Sequence, residues 1–290
     1  MRALDDTIAA LGSPVFVRAL GVRSEPTAVI ARWRHGAAVI EVAPSSTIRV
    51  AMSLVDARNA RHRDGQRAHR APGGSVSVFS PTDGASIEVD GEADVVQLFL
   101  DETHVEATLD APFACPALFD LRDDWMRARM MRVLVSSARC GPDDALRVEE
   151  DLHALALRIE GHATDWRGRT ETPSALFHGG LAPAAFRRVE AMIEAALDGA
   201  SAPTLTEMAA AASLSVTHFV RAFRRQTGRT PHDYFVRRRL DRAVSLLRLA
   251  KIPVGDVADK VGFASPAHFV ATFRATMGVT PGAVRDALVG

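Results

Sequence analysis

Cysteine is scarce: Cys115 and Cys140 are the only two in 290 residues, too few for a disulfide framework and not spaced like paired metal ligands. Both read as small hydrophobic side chains. No apolar run approaches the roughly 18 residues that a bilayer span requires, and Asp5 and Asp6 stand where a secretory leader would be basic. The cytoplasm is therefore the expected compartment, with no membrane partner. A nucleophile elbow, a phosphate-cradling glycine loop and a metalloprotease helix are all missing. The histidines are dispersed. His62 and His69 lie in a basic stretch, His35 precedes Gly36, and His104 follows the last expected strand, so none forms the close His-x-His pair of a metal-binding barrel. No metal and no cofactor is expected.

Net charge is also nil, with 35 basic and 35 acidic residues, but the balance is uneven along the chain. From Ser201 onward there are 13 Lys/Arg against 6 Asp/Glu, which leaves 22 against 29 in front. An acidic front thus carries a basic tail, as expected if the tail alone approaches a polyanion. The length suits two domains of about 100–200 residues each, and the 47% hydrophobic content is that of a folded chain.

The front, to about residue 118, reads as strands. Ser75-Val-Ser-Val-Phe and Ser86-Ile-Glu-Val-Asp alternate apolar and polar residues, and Asp90-Gly91 signals a hairpin into Val95-Val-Gln-Leu-Phe-Leu. Short strands with tight turns predict a small barrel or sandwich. The charged stretch Asp56 to Gly65 is expected on a loop. Residues 119–161 turn helical: one helix over Leu121 to Arg139, and a second starting at Pro142-Asp-Asp, where proline and carboxylates suit a first turn. In the second helix Ala145, Val148, Leu152, Leu155 and Ile159 form one stripe. That stripe serves either packing within its own domain or a two-helix dimer seam. Residues 162–182 lack a period and read as a linker.

The tail repeats itself. His218-Phe-Val-Arg-Ala-Phe-Arg-Arg-Gln-Thr-Gly-Arg-Thr-Pro returns fifty residues later as His268-Phe-Val-Ala-Thr-Phe-Arg-Ala-Thr-Met-Gly-Val-Thr-Pro. Each copy follows a short helix with Ala209 or Ala258 where two helices cross closely, then Ser213 or Gly262 at the turn, then Leu214 or Phe263 beneath it. Phe219 and Phe223, like Phe269 and Phe273, are four apart and share a buried face. Gly228 and Gly278 end the helices, and Thr-Pro restarts the chain.

This tail resembles the DNA-binding domain of the AraC/XylS family of transcription regulators over residues 183–290, above all in Val261-Gly-Phe-Ala-Ser-Pro-Ala-His-Phe, Phe273-Arg and Gly278-Val-Thr-Pro. One departure is Val284, where the family carries an aromatic residue. The resemblance implies two helix-turn-helix units joined by a long helix from Asp233, with Leu240, Ala243 and Leu247 turned inward, giving about 25 Å of stiff spacer. It implies double-stranded DNA as a partner. Bases are read by Thr217, Val220 and Arg221 in the first unit and by Ala267, Val270 and Ala271 in the second. His218, Arg224, Arg225, Thr230, His268, Thr272 and Arg274 lie near the DNA backbone. Arg221 is the expected guanine contact, whereas Pro266 and the alanines offer no strong hydrogen-bonding group. A weaker likeness, at Ala71-Pro-Gly-Gly-Ser-Val-Ser-Val-Phe-Ser-Pro, is to the cupin-like sensor domains of the same family.

The expected architecture is α+β. Residues 1–161 form a β-rich, cupin-like barrel with a helical part at 119–161, 162–182 link, and 183–290 are all-α with two helix-turn-helix motifs. The expected protein is a sequence-specific transcription regulator, in the activating sense, working as a homodimer with RNA polymerase as partner and a small-molecule effector. It is not expected to be an enzyme. The alternative is a metal- or Cys-dependent enzyme tethered to DNA, for which Cys115 has no adjacent base.

Overall fold

The computed structural model describes residues 2–21, 26–55, 57–64, 67–71, 74–80, 85–139, 142–168, 180–199, 201–249 and 252–289. Helix α1 (Arg2–Leu11) leads into ten strands: β1 (Phe16–Leu20), β2 (Ala28–His35), β3 (Ala38–Val42), β4 (Thr47–Ser53), β5 (Ala57–Asp64), β6 (Arg67–Ala71), β7 (Val76–Phe79), β8 (Ala85–Val89), β9 (Ala93–Asp101) and, after α2 (Glu102–Leu109), β10 (Leu118–Leu121). Two long helices follow, α3 (Asp124–Arg139) and α4 (Pro142–Gly168). The tail comprises α5 (Pro183–Leu197), α6 (Leu205–Ala211), α7 (Val216–Thr227), α8 (Pro231–Leu247), α9 (Val254–Lys260), α10 (Pro266–Met277) and α11 (Pro281–Val289).

The strands divide between two antiparallel sheets, β1-β2-β9-β4-β7-β10 and β3-β8-β5-β6. Side chains alternate across each strand, and the large sheet uses both faces. Ile48, Val50, Met52, Val76, Val78, Val96, Leu98 and Leu100 belong to the same core as Met126, Met130, Leu134, Leu152 and Leu155 of α3 and α4. On the other face, Ala51, Phe79 and Ala93 meet Ile40, Ile87 and Val89 of the small sheet. Beside them α1 brings Ala3, Leu4 and Ile8 onto Val29, Ala31, Trp33 and Phe99.

Several expectations need correcting. The charged segment expected as a loop is strand β5, which pairs β8 on one side and β6 on the other; backbone pairing from two neighbours outweighs a composition poor in strand formers. Asp90-Gly91 does not close a hairpin. Gly91 takes φ 111, but β8 pairs β3 and β5 whereas β9 pairs β2 and β4, so the turn carries the chain from one sheet to the other. The stripe on α4 is internal: Val148, Leu152, Leu155 and Ile159 are buried in the chain's own core, so they form no dimer seam, and Ala145 is exposed. Helix α4 also continues to Gly168, past the expected start of the linker at 162, and 169–179 lie outside the described residues.

Polar contacts lock the two long helices together. Asp151, only 2% exposed, accepts from Arg129 and Arg132. Asp123 caps α3 by accepting from the Trp125 and Met126 N–H groups at 2.9 and 3.0 Å, and it also holds Arg158 and His162 of α4. Burial pushes the Asp123 carboxyl upward, but the hydrogen bonds from His162, Met126 and Arg158 outweigh it and hold the group well below the usual carboxylate range.

Asp120 on β10 behaves oppositely. It sits in the left-handed region at φ 56, its Oδ1 has no partner among the described residues, and burial, partly offset by Arg122, pushes its carboxyl up to about 6. Folding favours the protonated acid, so stability falls as pH rises from about 4 to about 6 and stays reduced above that. Asp120→Asn keeps a side chain tolerant of positive φ and removes the charge. The variant is expected to match the parent in urea near pH 4 and to exceed it at pH 7, by at most about 3 kcal/mol. A gap that does not open between those pH values would show that the carboxyl is not held neutral.

The cores do not divide where the chain does. Phe186, Val189, Ile193, Met208, Phe219, Phe223 and Tyr234 form a cluster of their own around α5, α6 and α7. Leu240, Leu247, Phe263, Phe269, Phe273, Met277, Val284 and Leu288 instead join the core that contains the large sheet, α3 and α4. Helix α3 packs directly on α10 and α11, and a Cβ added at Gly278 would lie 3.2 Å from the Arg132 side chain. Val284, which replaces the family's aromatic, is fully buried there.

Candidate nucleic-acid interface

The two tail repeats have matching backbones. Ser213 takes φ 58 where Gly262 takes φ 78, so a serine accepts the left-handed turn that glycine adopts without a steric penalty. The Leu214 N–H donates to Ala209 O and the Phe263 N–H to Ala258 O, both at 3.0 Å. Ala209 and Ala258 are buried, as a close helix crossing requires. Ser215 and Ser265 cap α7 and α10 by accepting from the N–H of His218 and His268 at 3.4 and 3.2 Å. Gly228 and Gly278 close these helices at φ 73. Beneath the turns the copies differ: Phe263 is buried against Phe269, whereas Leu214 is 38% exposed and does not fill the equivalent space. The first unit has in addition Phe186 of α5 packed on Phe223, at 5.9 Å between ring centroids.

Phe219, Phe223, Phe269 and Phe273 have no exposed surface. Within each pair the ring centroids lie 5.4 and 5.6 Å apart. Their burial fixes which faces of α7 and α10 turn outward. On α7 these are Thr217, His218, Arg221, Arg224 and Arg225, with Val220 half-buried. On α10 they are Pro266, Ala267, His268, Ala271 and Arg274, with Val270 and Thr272 half-buried. Thr230 is less free than expected, because its hydroxyl caps α8, accepting from the Asp233 N–H and donating to the Asp233 carboxylate.

Charge pairing separates the tail's arginines into two groups. Arg229 and Arg237 reach Asp124 of α3, Arg237 also approaches Asp241, Arg238 binds Glu194, Arg242 approaches Asp198 and Arg248 reaches Asp94. Arg239 lies over the Phe235 and Phe263 rings. By contrast Arg221, Arg224, Arg225 and Arg274 have no carboxylate within 4 Å among the described residues. Within the two helix-turn-helix units, the guanidinium charge on the outward faces of α7 and α10 is therefore uncompensated, mostly on α7; Arg187 and Arg188 of α5 are likewise exposed with no carboxylate within 4 Å among the described residues.

Connecting helix α8 is seventeen residues long, and Leu240, Ala243 and Leu247 face inward on it as expected. Its Tyr234 hydroxyl donates to Glu190 at 3.1 Å; burial and that carboxylate push the phenol up to about 12. Burial and the nearby Arg127, opposed by Asp241 and Asp124, bring Arg237 down to about 9.

Sequence reasoning missed the polar contacts between the two halves, in which Arg229, Arg237 and Arg248 of the tail reach front-half carboxylates and front-half arginines reach the tail. Arg127 of α3 pairs with Asp241 of α8, and a Cβ at Gly74 would collide with the Arg127 guanidinium. Arg32 of β2 grips Asp94 with two 2.8 Å hydrogen bonds and also donates to the Leu288 carbonyl of α11. Arg237 and Asp241, four apart on one face of α8, were the one local signal of an inward charged stripe. As for the histidines, the His35 ring contacts the Gly36 carbonyl and His104 is half-buried; the side chains of His62 and His69 lie outside the described residues. No helix among the described residues is long and apolar enough to cross a membrane.

Residues 208–287 match the profile of a helix-turn-helix domain family. Among curated proteins, the HTH-type transcriptional regulator GlxA of Rhizobium meliloti is 32% identical over 157 residues, 54% of this chain and 45% of that protein. The HTH-type transcriptional activator RhaS of Escherichia coli O9:H4 is 38% identical over 74 residues, 26% of this chain and 27% of that protein. A probable AraC family transcriptional regulator from Rhodopseudomonas palustris, of known structure, is 29% identical, with a TM-score of 0.33 over 37% of this chain and 98% of that one. The chain thus spans less than half the length of the curated relatives described.

Proposed function

The C-terminal part of this chain belongs to the AraC-type helix-turn-helix family, and from that premise we propose that the whole chain is a sequence-specific, DNA-binding transcription regulator. The observation that supports this most is the contrast in charge pairing. Arg229, Arg237, Arg238, Arg242 and Arg248 of the tail have carboxylate partners, whereas Arg221, Arg224, Arg225 and Arg274 lie on the outward faces of α7 and α10 with no carboxylate within 4 Å among the described residues. Unpaired guanidinium groups on a helix that stands clear of the fold suit phosphates and guanine edges.

Thr217, Val220 and Arg221 form the base-facing set of the first unit, with Thr217 and Arg221 its polar groups; Ala267, Val270 and Ala271 add apolar contacts, for instance to thymine methyl groups. His218, Arg224, Arg225, His268, Thr272 and Arg274 sit along the sugar-phosphate backbone. Thr230 acts there through its place at the start of α8, since its hydroxyl is already engaged. Residues 1–161 with the remainder of α4 sense a small molecule and dimerise, the segment between α4 and α5 links, and 183–290 bind DNA. The cytoplasm is the compartment and RNA polymerase the downstream partner. Activation is the sense in which it acts, as the name of RhaS states for that protein.

Selection of bound duplexes from a random library by the full chain tests the reading: an enriched motif is expected, and its absence across a salt titration would overturn it. With the motif in hand, Arg221→Ala is expected to relax preference at one base pair, costing about 1–3 kcal/mol of discrimination there. A loss spread evenly over all sequences would assign Arg221 to a phosphate instead.

A further inference from the structure

The inner face of the large sheet carries a charge with no counter-ion. Arg49 of β4 is 3% exposed, yet no carboxylate lies within 4 Å of it among the described residues. Its Nη1 has one marginal contact, with the Thr7 hydroxyl at 3.4 Å, and its Nη2 has no partner among the described residues. Burial lowers the affinity of Arg49 for its proton, and the charge of Asp6 on α1 offsets only part of that cost. A buried guanidinium without an anion costs several kcal/mol.

The strand register sets polar and small groups beside it. Ala31, Gln97, Ala51 and Ser77 lie side by side across β2, β9, β4 and β7, and Val29, Phe99, Arg49 and Phe79 form the adjacent row. These two rows are about 7 Å apart along the strands. Gln97 makes no side-chain hydrogen bond among the described residues and keeps 6% exposure, as Ala51 keeps 8%, in the middle of a six-stranded sheet. Ser77 accepts from the Asp120 N–H at 3.4 Å and has its own hydroxyl hydrogen to give. Three donors, from Arg49, Gln97 and Ser77, therefore surround the short side chain of Ala51, with the Phe79, Phe99 and Trp33 rings nearby.

We propose that this face binds a small organic carboxylate, with Arg49 as its counter-ion, Gln97 and Ser77 as further donors, and the aromatic rings against its apolar part. This rests on the reading that the front half senses a small molecule, and it names the chemical class of that molecule. A carboxylate supplies the charge that Arg49 lacks, in the two-oxygen form a guanidinium prefers.

The test uses the full chain and sodium phenylacetate, butyrate and benzoate, each against its neutral amide, with unfolding temperature as the readout. At least one acid is expected to raise Tm in a saturable way, by about 5 °C at a hundred times its dissociation constant. Its amide should not, and the rise should vanish in Arg49→Gln. A second measurement needs no ligand: Arg49→Met, which removes a buried unpaired charge, is expected to raise the Tm of the free protein. Equal shifts with acid and amide, a shift that survives in Arg49→Gln, a fall in Tm with Arg49→Met, or no shift with any of the acids would each overturn the proposal. Motif enrichment by the same preparation keeps the outcomes apart, since the carboxylate site can fail while DNA recognition stands.

Discussion

Asp94→Ala is expected to destabilise the chain by about 3–5 kcal/mol, because it strips the anion from a guanidinium that stays buried. Asp94 has no exposed surface and Arg32 only 3%; the two share a pair of 2.8 Å hydrogen bonds. Arg248 of the tail also lies 3.3 Å from the same carboxylate, so the loss falls on both halves at once. Urea unfolding followed by circular dichroism reads the effect. The double variant Asp94→Leu with Arg32→Met should recover most of it, since exchanging a buried pair for apolar residues of like volume is close to neutral. A single-variant loss below about 1 kcal/mol would mean that water reaches the pair.

Phe273→Ala and Phe223→Ala remove equivalent rings from the two repeats, and each is expected to cost about 3–5 kcal/mol. The way the loss appears should differ. Phe273 belongs to the core shared with α3, α4 and the large sheet, so its loss should lower the main unfolding transition. Phe223 sits in the separate cluster around α5, α6 and α7, so its loss should split off an earlier transition confined to that unit. Hydrogen exchange on the two variants distinguishes the outcomes: protection lost equally in both units from either variant would show the clusters to be energetically one.

The tail was legible in the sequence because its signals are local. Phenylalanines four apart, a glycine where the chain turns left-handed and Thr-Pro at a helix start each act within a few residues of themselves, and Phe219, Phe223, Gly278 and Val261-Gly262 all lie where that logic puts them. Leu214 did not: it is 38% exposed, and the Phe186 ring that packs on Phe223 comes from a different helix, beyond the reach of a local pattern. In the front half the turn at Asp90-Gly91 was visible but its topology was not: a turn residue reports that the chain changes direction, not which strand it then joins. Strand β5 was hidden by its charge. The contacts of Arg127 with Asp241, Arg229 with Asp124 and Arg32 with Asp94 join residues 62 to 114 positions apart, beyond any periodicity. The outward face of α7 could be read from its spacing, while Arg49 emerged only from the register of four strands.

The shared core has a practical corollary for anyone handling pieces of this molecule. A fragment starting at residue 183 would take α10 and α11 away from α3 and leave Met277, Val284 and Leu288 without the large-sheet core they now complete. Such a truncation would be sticky in solution and short of one supporting wall. The amputated portion would bind duplexes poorly because its second reading helix had lost its seat, a failure of the cut and not of the recognition surface.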